Sequence, residues 1–171
     1  MPRSAQIETM FFADDGRTPN NPRLPLIVML GTEAIDADDP AEWFEKRFSE
    51  HGWGSTWRWH VYPYHHFHST NHEVLGVCRG SATLMLGGEK GGEFEVTLGD
   101  VLILPAGLGH KSLNASQGFQ VVGAYPRGEK PDLIRAGEGN PDAARGRIEK
   151  VPLPDLDPVY GAGGPLLDHW H

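Results

Sequence analysis

From residue 57 onward, apolar and polar side chains alternate with a period of two. Trp57, Trp59 and Val61 alternate with Arg58, His60 and Tyr62, as on a strand with one covered face. Val74–Val77, Ala82–Leu86, Phe94–Leu98, Val101–Leu104 and Phe119–Tyr125 read as further strands. Gly80, Gly87-Gly88, Gly91-Gly92, Gly107, Gly109 and Gly118 fall between or beside them. Short strands at this spacing, punctuated by Gly turns, predict an all-β sandwich or barrel. Upstream, Leu26–Leu30 is a continuous apolar run of the length of a buried strand. Between the two the pattern turns helical. Asp39-Pro40-Ala41-Glu42 places Asp at an N-cap, Pro at the first helical position and Glu at the third. Trp43, Phe44 and Phe48 mark one face, and Gly52 supplies a stop. This predicts a helix of about three turns outside the sheet, covering one end of a barrel.

The flanks are less regular. Residues 1–23 read as irregular, with turn signals at Asp14-Asp15-Gly16 and Asn20-Asn21-Pro22. After Tyr125, Asn140-Pro141-Asp142 predicts a short helix through Glu149. Pro152, Pro154, Pro158 and Gly161–Gly164 make an extended tail, which Leu153, Leu156, Val159, Leu166, Leu167 and Trp170 give a reason to pack. No repeat and no second domain is visible. The reading is one domain over 1–171: a barrel core at about 55–126, an N-terminal extension over 1–54 and a C-terminal wrap over 127–171.

Composition narrows the function. The 22 Gly and 14 Pro of the 171 residues suit many turns and short strands. The formal net charge is −8 and no basic face is visible, which argues against nucleic acid as a partner. Cys78 is the single cysteine, so no intrachain disulfide forms, as suits a reducing compartment. Met1–Met10 is polar with no apolar signal core. The run Leu24–Leu30 contains Pro25 and is far too short to span a membrane. The expectation is a soluble, cytoplasmic protein.

Five of the nine histidines fall between His60 and His72. His66 and His68 are two apart, so on a strand they point to one face with Cα atoms roughly 6.6 Å apart. Glu73 follows a short polar run that can turn the chain back to that face. Gly99–His110 offers a third imidazole just past a Pro/Gly turn. Three neutral nitrogens and one carboxylate make a coherent site for a first-row metal. The same run also reads as an adventitious metal patch or a solvated loop.

The spacing of the two stretches resembles a known family. The first reads His66, one residue, His68, four residues, Glu73, six residues, Gly80. The second reads Gly99, five residues, Pro105, one residue, Gly107, two residues, His110, three residues, Asn114. These are similar to the two motifs of the cupin superfamily, in order, over residues 66–114. One departure is His60, where the first motif usually opens with Gly. The flanks resemble, more loosely, a poorly characterised group of small single-domain bacterial cupins. The resemblance implies a jelly-roll barrel of two facing antiparallel sheets. It implies His66, His68, Glu73 and His110 as ligands of one divalent transition metal ion, Fe, Mn, Ni or Zn. It implies dioxygenase, decarboxylase or isomerase chemistry on an oxygenated small molecule, with a non-catalytic sensor or storage binder as the alternative. It also implies a homodimer, with Leu26–Leu30 near the pairing region.

Around these ligands the sequence suggests a pocket. If one strand runs unbroken into His66, then His60, Tyr62 and Tyr64 share its inward face. Pro63 or a bulge at the rim would break that parity. Leu75 and Val77 fall on the face of Glu73 and form an apolar wall. His65, Phe67 and His72 point away, with His65 and His72 either exposed or orienting a ligand. Asn114 is expected to cap the turn after His110, Cys78 to pack and Lys111 to face outward. Asn114-Ala115-Ser116 matches a glycosylation acceptor, but nothing indicates secretion.

Overall fold

A computed structural model describes residues 4–171 of the chain, so the first three residues of the polar start lie outside it. The strands are β1 (Gln6–Met10), β2 (Leu26–Leu30), β3 (Trp53–Trp59), β4 (His66–Phe67), β5 (Glu73–Arg79), β6 (Ser81–Leu86), β7 (Gly92–Thr97), β8 (Val101–Leu104), β9 (His110–Ala115), β10 (Gln120–Pro126) and β11 (Ile134–Arg135). The helices are α1 (Pro40–Glu50), α2 (Pro141–Lys150) and α3 (Pro165–His169), with a 3-10 turn at Glu33–Asp36.

The strands form two antiparallel sheets. The first has the order β1-β2-β8-β5-β10-β3 and the second β11-β4-β9-β6-β7. From β3 to β10 the chain crosses from sheet to sheet at every step except the β6–β7 hairpin. Eight strands wound this way are the jelly roll, two Greek keys closed face to face. The predicted all-β class and barrel are therefore observed.

The apolar core has two layers. Leu75, Val77, Leu84, Leu86, Leu102 and Val121 fill the space between the sheets. Phe44, Phe48, Val74, Ile103, Val122 and Ala124 form a second layer on the outer face of the first sheet. Helix α1 thus packs across β3, β5 and β10 and does not close a barrel end, as its sequence pattern alone had suggested. Its start is as predicted: the Asp39 carboxylate accepts from the Glu42 N–H at 3.1 Å, with Pro40 in the first turn. Gly76 lies mid-strand beneath it because a Cβ there would sit 2.7 Å from the Phe44 ring.

The flanks are more ordered than their sequence indicates. Residues 6–10 form β1, which pairs along β2 although all five of its side chains are exposed. With no face to bury, this strand leaves no apolar alternation to read. The tail does pack. Val159, Leu166 and Trp170 join the outer layer, and the Trp170 indole N–H donates to the Pro25 carbonyl at 2.9 Å. The buried Asp157 carboxylate accepts from the N–H groups of Val159, Tyr160 and Leu166 and folds the tail onto the helix. Leu153 and Leu167 stay exposed. Helix α2 forms as predicted, with the Asn140 side chain accepting from the Ala143 N–H.

Candidate metal centre

The four predicted residues come from both sheets. His66 on β4 lies directly opposite His110 on β9. Glu73 opens β5 on the facing sheet, paired with Leu104. His68 sits in the turn between β4 and β5. All four are buried. The donor atoms of His66, His68 and His110 lie within 4.8 Å of one another. Glu73 Oε1 lies 3.4 Å from both His68 Nε2 and His110 Nε2. The three imidazoles thus form the compact group, and the carboxylate closes it on the side of His68 and His110.

Each ring is oriented from behind by a backbone carbonyl. His66 Nδ1 is 3.1 Å from the Tyr64 oxygen, His68 Nδ1 2.6 Å from that of Asp132, and His110 Nδ1 2.9 Å from that of Leu108. A carbonyl only accepts, so each Nδ1 carries a proton and each ring turns its Nε2 inward, where it can offer a lone pair to a cation. Three Nε2 atoms and a carboxylate oxygen then face one another in a buried space, a fitting donor set for a divalent cation. Imidazole and carboxylate suit Fe, Mn, Ni, Co or Zn.

The electrostatics agree. Burial disfavours charge on His66, and with the nearby His110 brings its pKa down to about 2. Burial also acts against His68, but the Glu73 carboxylate outweighs it and raises the His68 pKa above the ordinary value. Burial acts to raise Glu73. His68, together with hydrogen bonds from His110 and His68, overrides it and holds the carboxyl far below the usual range. Glu73 is an anion in search of a cation.

A second carboxylate holds the His68 turn in place. Asp132 accepts from the backbone N–H and hydroxyl of Ser69 and from those of Thr70. Arg147 on α2 donates to the Ser69 hydroxyl at 2.7 Å. The Asp132 carbonyl is the one that fixes His68, so a single residue sets both the turn and the ring. Sequence reading missed it, since a lone Asp beside Pro131 carries no pattern of its own.

The centre lies in a cavity of about 410 Å³. Of the expected lining residues, His60, Tyr62 and Leu75 are there, and Tyr64 and Val77 are not. Tyr64 stacks on Tyr62 but lines a separate polar cleft, beneath the Arg135 guanidinium. Val77 lies deeper, wholly buried in the core between the sheets. The unbroken strand into His66 does not exist. Strand β3 ends at Trp59, and after it His60, Val61 and Tyr62 all reach the cavity in succession. Parity has already shifted upstream, where Ser55 takes φ 55° at an irregularity in the pairing of β3 with β10. The shift turns Trp57 inward, over Gly123, where a Cβ would meet the indole at 2.1 Å. The Trp57 indole N–H donates to the Tyr125 hydroxyl at 2.8 Å. Burial, reinforced by Glu73, pushes the Tyr125 pKa up, so the phenol keeps its proton.

His65 and His72 point elsewhere, as expected, but neither is exposed. His72 packs against Trp170, with its Nδ1 accepting from the Ala106 N–H at 2.9 Å, and burial lowers its pKa to about 3. His65 Nε2 lies 3.2 Å from Glu89 in the polar cleft. Asn114 does not cap a turn: it lies within β9 opposite Thr83, and its side chain is exposed. Cys78 packs in the outer layer with its thiol raised by burial. The Lys111 ammonium reaches out to Glu89 at 3.2 Å. A larger groove, about 710 Å³, runs between residues 11–24 and α2 and touches none of the four central residues.

No family model matches the chain. YjlB, an uncharacterized protein of Bacillus subtilis (strain 168), is 41% identical over 165 residues, covering 96% of this chain and 97% of that protein. Solved structures resemble it more distantly. An uncharacterized conserved protein with a double-stranded β-helix domain from Klebsiella pneumoniae is 15% identical, with a TM-score of 0.39, over 81% of this chain and 90% of that one. An oxalate decarboxylase of Bacillus subtilis is 12% identical, TM-score 0.36, over 78% of this chain and 28% of that one. A salicylate 1,2-dioxygenase from Pseudaminobacter salicylatoxidans is 11% identical, TM-score 0.37, over 81% and 33%. The chain thus spans about a third of each of these two enzymes, and likenesses of this size carry no statement about activity.

Proposed function

We propose that this chain, a member of the family of Bacillus subtilis YjlB with a jelly-roll barrel of the cupin kind, is a metal-dependent enzyme acting on a small oxygenated molecule. His66, His68, Glu73 and His110 would hold one divalent ion, Fe, Mn, Ni or Zn. The observation that carries this reading is the orientation of the three rings. Each is fixed from behind by a carbonyl, so that all three Nε2 atoms and Glu73 meet at an open cavity.

The bound ion would supply Lewis acidity to a coordinated substrate oxygen and, for Fe or Mn, redox capacity suited to dioxygenase or decarboxylase chemistry. The chain's own residues do the rest. Leu75, Pro131 and Leu133 supply apolar wall that limits water beside the centre. Trp57 fixes the Tyr125 oxygen and so aims a protonated phenol into the cavity. That phenol is the group placed to hand a proton to a substrate, or to hold a substrate oxygen by donating to it. His60 at the mouth is the one imidazole in the cavity outside the central set.

A cytoplasmic location and a homodimer are part of the same proposal. Among the described residues no helix is long and apolar enough to cross a membrane. Leu26–Met29 are buried within the chain and both edges of β2 are paired, by β1 and β8. This favours the open edge of β1 as the meeting place of a second copy, and sedimentation velocity at micromolar concentration tests it.

The function is tested by turnover of metal-loaded protein on a panel of diketones, thiols, hydroxy acids and sugars. The proposal expects turnover of at least one class, lost in Glu73→Gln with the fold unchanged. Full metal occupancy with no turnover would favour the non-catalytic binder.

A further inference from the structure

The segment 130–133 forms one wall of the cavity, through Lys130, Pro131 and Leu133. It is not a free loop. Asp132 in its middle is tied by its carboxylate to Ser69 and Thr70 and by its carbonyl to His68, and Pro131 restricts the backbone between Lys130 and that clamp. Lys130 is therefore set from a braced position beside the centre. Among the described residues it is the sole lysine or arginine of the cavity, and it has no carboxylate or hydrogen-bonding partner. Lys130 is exposed, as Lys46, Lys90 and Lys150 are, but it alone of these lysines lines the cavity, so its ammonium is available to a ligand there.

Apart from His60, the rest of the mouth is largely apolar and aromatic. Trp59 and Leu133 are each 46% exposed, large apolar surface left open to water at the entrance. Trp57, Trp59 and Tyr62 provide ring faces, and Tyr62 meets Trp59 edge-on at 5.1 Å. Such a rim favours a ligand with an apolar planar body. The volume, about 410 Å³, admits a molecule of roughly one ring with its substituents. Among the described residues Glu73 is the sole carboxylate lining the cavity, on the side of His68 and His110, so no acidic side chain besides the central set opposes an incoming anion.

We propose that Lys130 is a specificity-determining residue that anchors the carboxylate of a small planar acid, whose ring lies against Trp57 and Trp59 and whose other end faces His66, His68 and His110. This deepens the metalloenzyme reading and rests on it for the identity of the site, but not for the charge preference. A neutral amide of the same shape keeps the ring contacts and loses the ion pair.

The test is titration of benzoate and of benzamide into the full-length protein, followed by quenching of tryptophan fluorescence, in wild type, Lys130→Gln and Lys130→Arg. Metal content is measured on the same samples. The proposal expects benzoate to bind wild type at least about tenfold more tightly than benzamide, a preference lost in Lys130→Gln and largely kept in Lys130→Arg. Benzamide binding should not change. Equal binding of the two probes to wild type overturns the proposal, as does an unchanged benzoate preference in Lys130→Gln or no binding of benzoate at all. The metalloenzyme reading fails separately: wild-type protein that takes up no transition metal sinks it, whatever the two probes do.

Discussion

Along β5, successive side chains enter two environments. Val74 and Cys78 point outward and pack with Phe44, Phe48 and the tail residues Val159 and Trp170. Glu73, Leu75 and Val77 point inward, two of them into the apolar core and the first into the metal centre. Both faces are buried, yet they are held differently. The outer face is closed by a helix and a tail whose contacts are mainly apolar, with hydrogen bonds such as Trp170 to Pro25 and Arg47 to Val159 at their edges. The inner face ends in four polar residues that satisfy one another poorly unless a cation lies among them. The difference shows where stability and chemistry reside in this barrel: the outer layer should hold the fold with or without metal, and the centre should be removable.

The largest effect expected follows from removing an outer-face ring. Phe44→Ala deletes a wholly buried phenyl and should destabilise the protein by about 3–5 kcal/mol in denaturant titration. The metal bound per folded chain should not change. Gly76→Ala should also destabilise, because its new methyl meets that ring, and the double variant should lose less than the sum of the two. Strict additivity would mean that Phe44 is not what keeps position 76 a glycine.

Next comes the clamp between the faces. Asp132→Ala keeps the carbonyl that fixes His68 but removes the carboxylate that holds Ser69 and Thr70. Metal affinity should fall roughly tenfold, measured by competition with a chromophoric chelator, with a small change in melting temperature. A large stability loss with unchanged affinity would place Asp132 with the outer face in its role.

The smallest effect lies outside both. Asp14 pairs with Arg145 of α2 at 2.7 Å, and that hydrogen bond lowers the Asp14 pKa against the opposing effect of burial. A carboxyl lowered on folding adds stability above its unfolded pKa and loses it as pH falls through the folded value. Asp14→Asn should therefore melt slightly below wild type at neutral pH, and the two should converge as pH falls through the lowered Asp14 pKa. A gap that persists in acid would show that the charge of Asp14 is not its source.

How much of this was legible beforehand follows from where each signal resides. The four central residues were readable because their spacing lies in the chain itself: one residue between His66 and His68, and a Pro/Gly turn before His110. The central strands were readable because each buries at least one face. β1 and β9 were not, since β1 exposes every side chain and β9, His-Lys-Ser-Leu-Asn-Ala, has no apolar alternation. The pocket was half read for a related reason. A period of two carries a prediction only as far as the strand continues, and β3 has a bulge at Ser55 and stops at Trp59. Asp132 acts through tertiary placement alone: its bond to His68 spans a separation of 64 residues, which no local pattern announces.

The account stands most directly on one measurement: metal content and thermal melting of untagged wild-type protein and of His110→Ala. Wild type should carry about one transition-metal ion per chain, and His110→Ala close to none, while still melting cooperatively as a folded barrel. Full occupancy in His110→Ala would show that the ligand assignment is wrong. Unfolding of His110→Ala together with metal loss would show that the ion holds the fold, contradicting the separation of the two faces.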